Sequence, residues 1–255
     1  MHFDDISLLI THYNRSQSLK RLLQTFEQLG VAFAEIVVSD DCSDAEHQQA
    51  IKELQKQFTF RLVESPVNKG LGHNINKGQA VITTPYTLYV QEDFIPTDLF
   101  PNRLDQALEL MKEDTTIDLM RFYAYIPYPY LKPKNDAGFS EMYLPFLGYR
   151  YKKIYQYSDH PHLRKTSFST KFGAYREGVS GDKTEYQMCL SFLRNQGKGY
   201  FYNDFKTLFQ QANSAEEPST MTRSNWRNSS NFLIKVVRNV YRQLKYNYDI
   251  HLRRA

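Results

Sequence analysis

The chain is poor in the features that staple, anchor or coat a protein. It has only two cysteines in 255 residues, Cys42 and Cys189, far apart and without a CxxC spacing. That excludes a disulfide framework, argues against a structural zinc site and suits a reducing compartment, the plain reading being two buried thiols. No uninterrupted apolar run reaches the roughly 18 residues that a membrane span needs. The opening MHFDDISLLI lacks the basic stretch and long apolar core of a signal peptide, so a cytoplasmic protein is expected. Charge of one sign is lacking as well, with 32 Lys and Arg against 28 Asp and Glu, a formal net charge of +4. The two signs are interspersed except for a basic excess near the C-terminus, which gives no footprint for general nucleic-acid binding. The length suits one α/β domain with an elaborated C-terminal part, or two small domains sharing an interface.

What is present is alternation. Residues 6–10 form a short apolar run of buried-strand type, followed by the polar turn 11–15. Leu19, Leu22, Leu23, Phe26 and Leu29 then recur at helical spacing, with Ser16 able to cap that helix and Gly30 to end it. Residues 35–39 (EIVVS) read as a second strand, 45–58 as a helix and 59–63 as a third strand. Such an order implies a parallel sheet with right-handed crossovers, whose ligands sit beyond the carboxyl ends of the strands. Three polar clusters fall on that edge: residues 11–15, Asp40 with Asp41, and Glu92 with Asp93.

The last pair closes YTLYVQEDFIP, residues 86–96, where β-prone, largely apolar residues run straight into two acids. Carboxylates at the edge of a core are costly unless something cationic meets them. A divalent metal carrying a diphosphate would do so, and a solvated turn would explain the same pattern. Residues 68–78, NKGLGHNINKG, form a glycine-rich segment leading into a helical run that ends near Ile82. It is no Walker A loop, since no GKS or GKT follows, and it does not follow a first strand as a GxGxxG fingerprint should. Its glycines allow tight turns and close approach of a ligand to backbone.

Taken in order, ISLLITHYNR (6–15), EIVVSDDCSD (35–44), NKGLGHNINKG (68–78) and YVQED (89–93) resemble the N-terminal half of the family 2 glycosyltransferases over about the first hundred residues. The resemblance implies a GT-A fold: a Rossmann-like α/β architecture with a mixed, mainly parallel sheet flanked by helices. It implies that Thr11, Tyr13 and Arg15, and Asp40 with Asp41 as second partner, hold the base and ribose of a nucleotide-diphosphate sugar. Asn68, Gly70, Asn76 and Gly78 would shape the floor of that pocket. Asp93 would hold Mn²⁺ or Mg²⁺, and Glu92 would contact ribose or a metal-bound water. The sequence departs from the family's usual DxD in carrying Gln91, and Ile75 stands where a basic residue is often found. The family's catalytic base maps to residues 181–202, GDKTEYQMCLSFLRNQGKGYFY, with Glu185 as first choice and Asp182 as reserve; acids in a first helical turn also stabilise a helix through its dipole alone. A single attacking base implies inversion at the anomeric carbon. Without membrane spans or a QxxRW motif, non-processive transfer of one sugar to a carbohydrate or lipid-linked acceptor is expected, as in surface polysaccharide synthesis. The alternative is a relative that binds sugar nucleotide or glycan without turnover. A sugar nucleotidyltransferase would need a glycine-rich basic loop after the first strand, and THYNRSQ has none.

Residues 1–120 are thus expected to bind the nucleotide sugar, 121–230 to bind acceptor and supply the base, and 231–255 to form a C-terminal helix. The middle part is crowded with nine tyrosines between 123 and 157, of which a few are expected to touch acceptor while the rest pack an irregular lobe. His160 and His162, separated by a proline, are loop residues on the plain reading and metal ligands on the sharper one. His73, within the glycine-rich segment, is placed near phosphate. In the last stretch Phe232, Leu233, Val236, Val237, Val240, Tyr241 and Leu244 share one helical face, and Lys235, Arg238, Arg242, Lys245, Arg253 and Arg254 supply the other. Such a helix either lies on an anionic membrane surface, as a peripheral contact at the inner face, or covers the catalytic lobe with its apolar face.

Overall fold

Alternating strands and helices build the first hundred residues, as the sequence pattern requires. The structure, a computed structural model, describes residues 1–145, 148–212 and 232–252, the last stretch with side chains from residue 236. Strand β1 (His2–His12) lies at the centre of the parallel half of an eight-stranded sheet, with β2 (Ala32–Asp40) and then β3 (Arg61–Glu64) on one side. On its other side lies β4 (Tyr86–Gln91), and all three pairings are parallel. Leu8, Leu9 and Ile10 are fully buried, because helices cover both faces of the sheet. On one face pack α1 (Ser16–Gln28) and α4 (Phe100–Glu113), through Leu19, Leu22, Leu23 and Phe26 of the first and Phe100, Leu104 and Met111 of the second. Each of these side chains contributes about 1.5–3 kcal/mol by leaving water. Helix α2 (Ala45–Gln55) follows β2, and α3 (Leu71–Gln79) covers the opposite face.

Two local expectations shift. Ser16 is the first residue of α1 and Arg15 takes the cap position, while the Ser16 hydroxyl lies 2.9 Å from His47 Nδ1. Residues 68–78 are mostly helix rather than loop. Gly78 lets α3 lie against the sheet, since a Cβ there would stand 2.5 Å from Leu9 Cδ1 and 2.9 Å from Ser39 Cβ. Gly70, at φ 84°, makes the turn into the helix.

Beyond β4 the sheet becomes mixed. Strand β8 (His162–Lys165) runs antiparallel between β4 and β6 (Leu119–Arg121), and β9 (Gly199–Tyr202) then β7 (Phe139–Met142) complete the edge. The short β5 (Phe94–Pro96) leaves the main sheet and pairs with β10 (Phe209–Gln211). Helices α5 (Phe168–Phe172) and α6 (Gly181–Arg194) pack with α3 around a second core of aromatic residues that includes Tyr157, Phe168 and Phe192. Of the nine tyrosines, Tyr128 and Tyr157 are buried, whereas Tyr149 is exposed.

Helix α7 (Phe232–His251) lies on α6 and on the 3-10 turn Tyr151–Ile154, but not by the expected face. Its inner side sets polar and aromatic groups beside the buried Ile250: Tyr246 meets the rings of Tyr186 and Tyr151, Asn247 accepts from Lys153 Nζ at 2.5 Å, and Asp249 is buried against Tyr186 and Lys245. Val236, Val237, Val240, Tyr241 and Leu244 point outward. The apolar face therefore does not cover the lobe. Phe232, Leu233, Lys235, Arg253 and Arg254 of the expected helix faces lie outside the described side chains.

Candidate active site

Parallel register brings the carboxyl ends of three strands level. Thr11 stands opposite Gln91 and His12 opposite Asp40, so the turns that follow β1, β2 and β4 meet over one edge. A cavity of about 890 Å³ opens there and extends under the antiparallel half to the start of α6.

At its first end, Thr11, Tyr13, Arg15, Asp41, Asn68 and Gly70 line the wall with Gln91, Glu92 and Asp93. Thr11 Oγ1 shares a hydrogen bond of 3.0 Å with the buried Tyr89 hydroxyl. Asp41 accepts the N–H groups of Lys69 at 3.0 Å and Gly70 at 2.6 Å, which ties the glycine-rich turn to β2. The acidic pair is met by a cation from this chain: Arg15 Nη1 lies 3.2 Å from Asp93 Oδ2 and 3.5 Å from Glu92 Oε1, all three side chains being largely buried. Gln211 Nε2 donates to the same Asp93 oxygen at 2.8 Å.

Four of the residues expected here do not line the cavity: Asp40, Asn76, His73, and Gly78, which packs against Leu9 and Ser39. Asp40 turns into the protein, where His12 Nδ1 lies at 2.7 Å and Ser43 donates its N–H at 2.9 Å and its hydroxyl at 2.5 Å. Burial works to raise its pKa, but these hydrogen bonds outweigh it and hold the carboxyl below the usual range. Asn76 braces the 175–177 segment, donating to Tyr175 O and Glu177 Oε1, both at 2.8 Å. His73 pairs with Glu177 at 2.8 Å.

At the other end Asp182 and Glu185, one turn apart on α6, line the cavity with Asp159, His160 and Arg121. Glu185 Oε1 accepts the backbone N–H of Asp159 at 3.3 Å. Burial pushes the Asp159 carboxyl up to about 8, and the nearby charge of Glu185 adds to the shift; burial raises Glu185 too, against the pull of the Asp159 N–H, Ser158 and Arg121. Burial raises both carboxyls, and the charge of Glu185 raises Asp159 further, so ionising both members of the pair is disfavoured. Behind it runs a buried chain. Tyr157 donates to Asp159 Oδ1 at 2.7 Å, the Tyr157 and Tyr175 hydroxyls are 2.6 Å apart, and Arg164 donates to Tyr175 and, at 2.8 Å, to Gln79 Oε1. His160 is held neutral, pushed down to about 3 by burial and then by Arg121. His162 is buried within the sheet, its ring near those of Tyr89 and Tyr157. Four tyrosine-rich-lobe residues, Tyr125, Tyr128, Tyr151 and Tyr155, reach the wall.

Asp159, Arg121 and Gln211 line the site without having been singled out as site residues by sequence, and Arg242 reaches it from the basic C-terminal stretch, whose Lys and Arg residues sequence offers as candidate contacts of the leaving diphosphate. Asp159 stands in SDHPH, where the histidines drew the attention. Among the described residues no three His, Cys, Asp or Glu side chains gather as a metal cluster. The acidic turn nevertheless fits a cation through one ligand: Asp93 Oδ1 is buried and unpartnered while Oδ2 is taken by Arg15 and Gln211. Mg²⁺ and Mn²⁺ accept such a site when phosphate and water oxygens complete the shell.

Comparison with known proteins gives the same architecture. S. aureus TarS residues 1–349 in complex with UDP-GlcNAc superposes with a TM-score of 0.62 at 15% identity, covering 96% of this chain and 70% of that one. Mannosyltransferase PcManGT from Pyrobaculum calidifontis, in complex with GDP-Man and Mn²⁺, gives 0.54 at 13%, covering 95% and 64%. At those identities the likeness shows the fold, that of GT-A glycosyltransferases. In sequence, an uncharacterized glycosyltransferase of Haemophilus influenzae is 22% identical over 116 residues, and a poly-beta-1,6-N-acetyl-D-glucosamine synthase of Staphylococcus epidermidis is 26% identical over 98. The matches take in 45% and 38% of this chain but only 37% and 24% of those proteins. Residues 7–178 match the profile of glycosyl transferase family 2, and on that match across two thirds of its length, over a sheet with a GT-A site edge, the chain belongs to that family.

Proposed function

We propose that the protein is an inverting, non-processive glycosyltransferase of hexosyltransferase type that moves one sugar from a nucleotide-diphosphate donor to a carbohydrate or lipid-linked acceptor, in surface polysaccharide synthesis. Its place is the cytoplasm, with peripheral contact at the inner membrane face. The observation that carries the reading is one cavity with an acidic, arginine-paired turn at one end and a buried carboxyl pair at the other.

Thr11, Tyr13, Asp41, Asn68 and Gly70 form the wall for base and ribose, with Glu92 at the ribose or a metal-bound water. Asp40 and Asn76 support it from behind, Asp40 through His12 and Ser43 and Asn76 through the 175–177 segment. The free Oδ1 of Asp93 is the ligand for Mn²⁺ or Mg²⁺, which when bound would offset the charge growing on the departing diphosphate. Arg15 holds the acidic turn in place. Glu185 takes the proton of the attacking hydroxyl, for which it must stand within roughly 3 Å of that oxygen. Asp182, at the start of the same helix, is the reserve for this role.

A thermal-shift screen against UDP, GDP, dTDP and CMP and their sugars, with and without Mn²⁺, tests the reading on wild type and Asp93→Ala. A ligand at about a hundred times its Kd stabilises the fold by roughly 2.7 kcal/mol. Stabilisation by one nucleotide that needs metal and is lost in Asp93→Ala is expected. Glu185→Gln should then keep that stabilisation and lose transfer by about 10²- to 10⁴-fold, read with labelled donor. Binding without any dependence of function on Glu185 would instead favour a non-catalytic sugar-nucleotide or glycan-binding relative, and no shift with any nucleotide would sink both.

A further inference from the structure

Helix α7 is amphipathic in the direction opposite to that of a helix packed on a core. Val237, Val240, Tyr241, Leu244, Tyr248 and Leu252 are all exposed, Leu244 and Leu252 at 67% and 70%. At about 100° per residue these six fall within an arc of about 120°, a continuous stripe over four turns. An apolar stripe of this size facing away from its own protein marks a contact with something else. The opposite side of the helix is engaged with α6 and the Tyr151–Ile154 turn, so the stripe is not an inner face left bare by chance.

Charge decides between partners. Arg238 and Arg242 stand beside the stripe, while Lys245 pairs with the sole acid of the helix, Asp249, which is buried against it and Tyr186. The exposed Arg150 adds a further cation on the neighbouring loop, which Gln243 holds through the Gly148 carbonyl at 2.9 Å. In a two-fold contact with a second copy these cations would meet their own kind, with no exposed acid on the helix to offset them. A surface that is apolar within and anionic at its boundary complements both features.

We propose that the outward face of α7 docks on an anionic lipid surface, with the stripe entering the headgroup boundary and Arg238 and Arg150 at its sides toward lipid phosphates. This names the surface for the peripheral contact and rests on that part of the functional reading alone, since lipid binding needs no transfer chemistry. Arg242, Tyr151 and Lys152 belong both to this region and to the cavity wall, so docking brings the Glu185 end of the cavity beside the headgroups.

The test is sedimentation of the full chain with vesicles of phosphatidylglycerol and phosphatidylcholine, against vesicles of phosphatidylcholine alone. Wild type should pellet with the anionic vesicles and be released by salt. Val240→Glu combined with Leu244→Glu should weaken partition by about tenfold or more, and Arg150→Glu by a smaller factor. Both positions of the double variant are exposed, so its melting temperature and nucleotide-induced shift should match wild type, which separates this proposal from the transfer reading. Wild type left in the supernatant, equal pelleting with neutral vesicles, or a double variant that pellets like wild type would each overturn it. A dimer in sedimentation velocity that Leu244→Glu dissociates, without vesicle binding, would assign the stripe to a second copy instead.

Discussion

Asp159 and Glu185 govern how the protein should respond to pH. An acid whose folded pKa is raised binds a proton in the folded state that the unfolded chain has already released. Stability contributed by that proton is present below the unfolded value of 3.8 and is lost as pH rises through about 8. Urea unfolding between pH 7 and pH 8, above the range where the unfolded chain protonates the buried neutral His160 and His162, should therefore show stability falling with pH by up to about 1.4 kcal/mol per unit for one proton. Asp159→Asn should flatten that slope, and an unchanged slope would mean that Asp159 is ionised in the fold. Arg164 carries a second consequence, since it is a fully buried cation serving Tyr175 and Gln79. Arg164→Met leaves Gln79 Oε1 without this donor and Tyr175 with one partner fewer, and a loss of about 1–3 kcal/mol in urea unfolding is expected. Neither residue was legible in sequence. The environment of Asp159 is set by Glu185, 26 residues away, and by a tyrosine pair that only the second core brings together. The same holds for Asp40, whose motif is plain in SDD but whose direction depends on His12 from the neighbouring strand.

Elements differ in legibility for a related reason. The first three strands and the first two helices follow from local periodicity, because each buries its apolar residues against a neighbour close in sequence. The antiparallel half does not: β6 has three residues, and its partners β8 and β9 lie about 40 and 80 residues downstream. The acidic turn was readable as the end of β4, whereas its support from β10 through Gln211 was not. Helix α3 shows how a loop-like composition can be helical, since its glycines are selected by space, Gly78 against the sheet and Gly72 against the Arg176 carbonyl, rather than by turn conformation. Gly78→Ala should force Leu9 and Ser39 aside and cost about 1–3 kcal/mol, seen as a lower urea midpoint with the slope unchanged. A neutral result would mean that α3 can ride outward freely, which its contacts with β1 and β2 argue against.

Across the whole molecule, one sheet carries two ends of different build. The first end is made by consecutive turns of the parallel half and depends little on distant chain. The second end is assembled from α6, the loop before β8, the tyrosine-rich lobe and Arg242 of α7. The family's ordered motifs cover the first, so sequence located it well, and they stop before the second, where sequence supplied Glu185 and Asp182 but not the partners that tune them. The division predicts a pattern of amide hydrogen exchange. With the nucleotide found in the thermal screen, exchange should slow at residues 11–15, 68–74 and 91–93, where backbone N–H groups line or brace the first end. It should stay unchanged at residues 237–252, because among the described residues α7 touches the cavity only through Arg242. Anionic vesicles should do the reverse, slowing exchange along α7 and leaving 68–74 alone. If nucleotide protected α7 as strongly as the glycine-rich turn, the two ends would be coupled as one closing unit, and the separate assignment of donor wall and lipid-facing helix would fail.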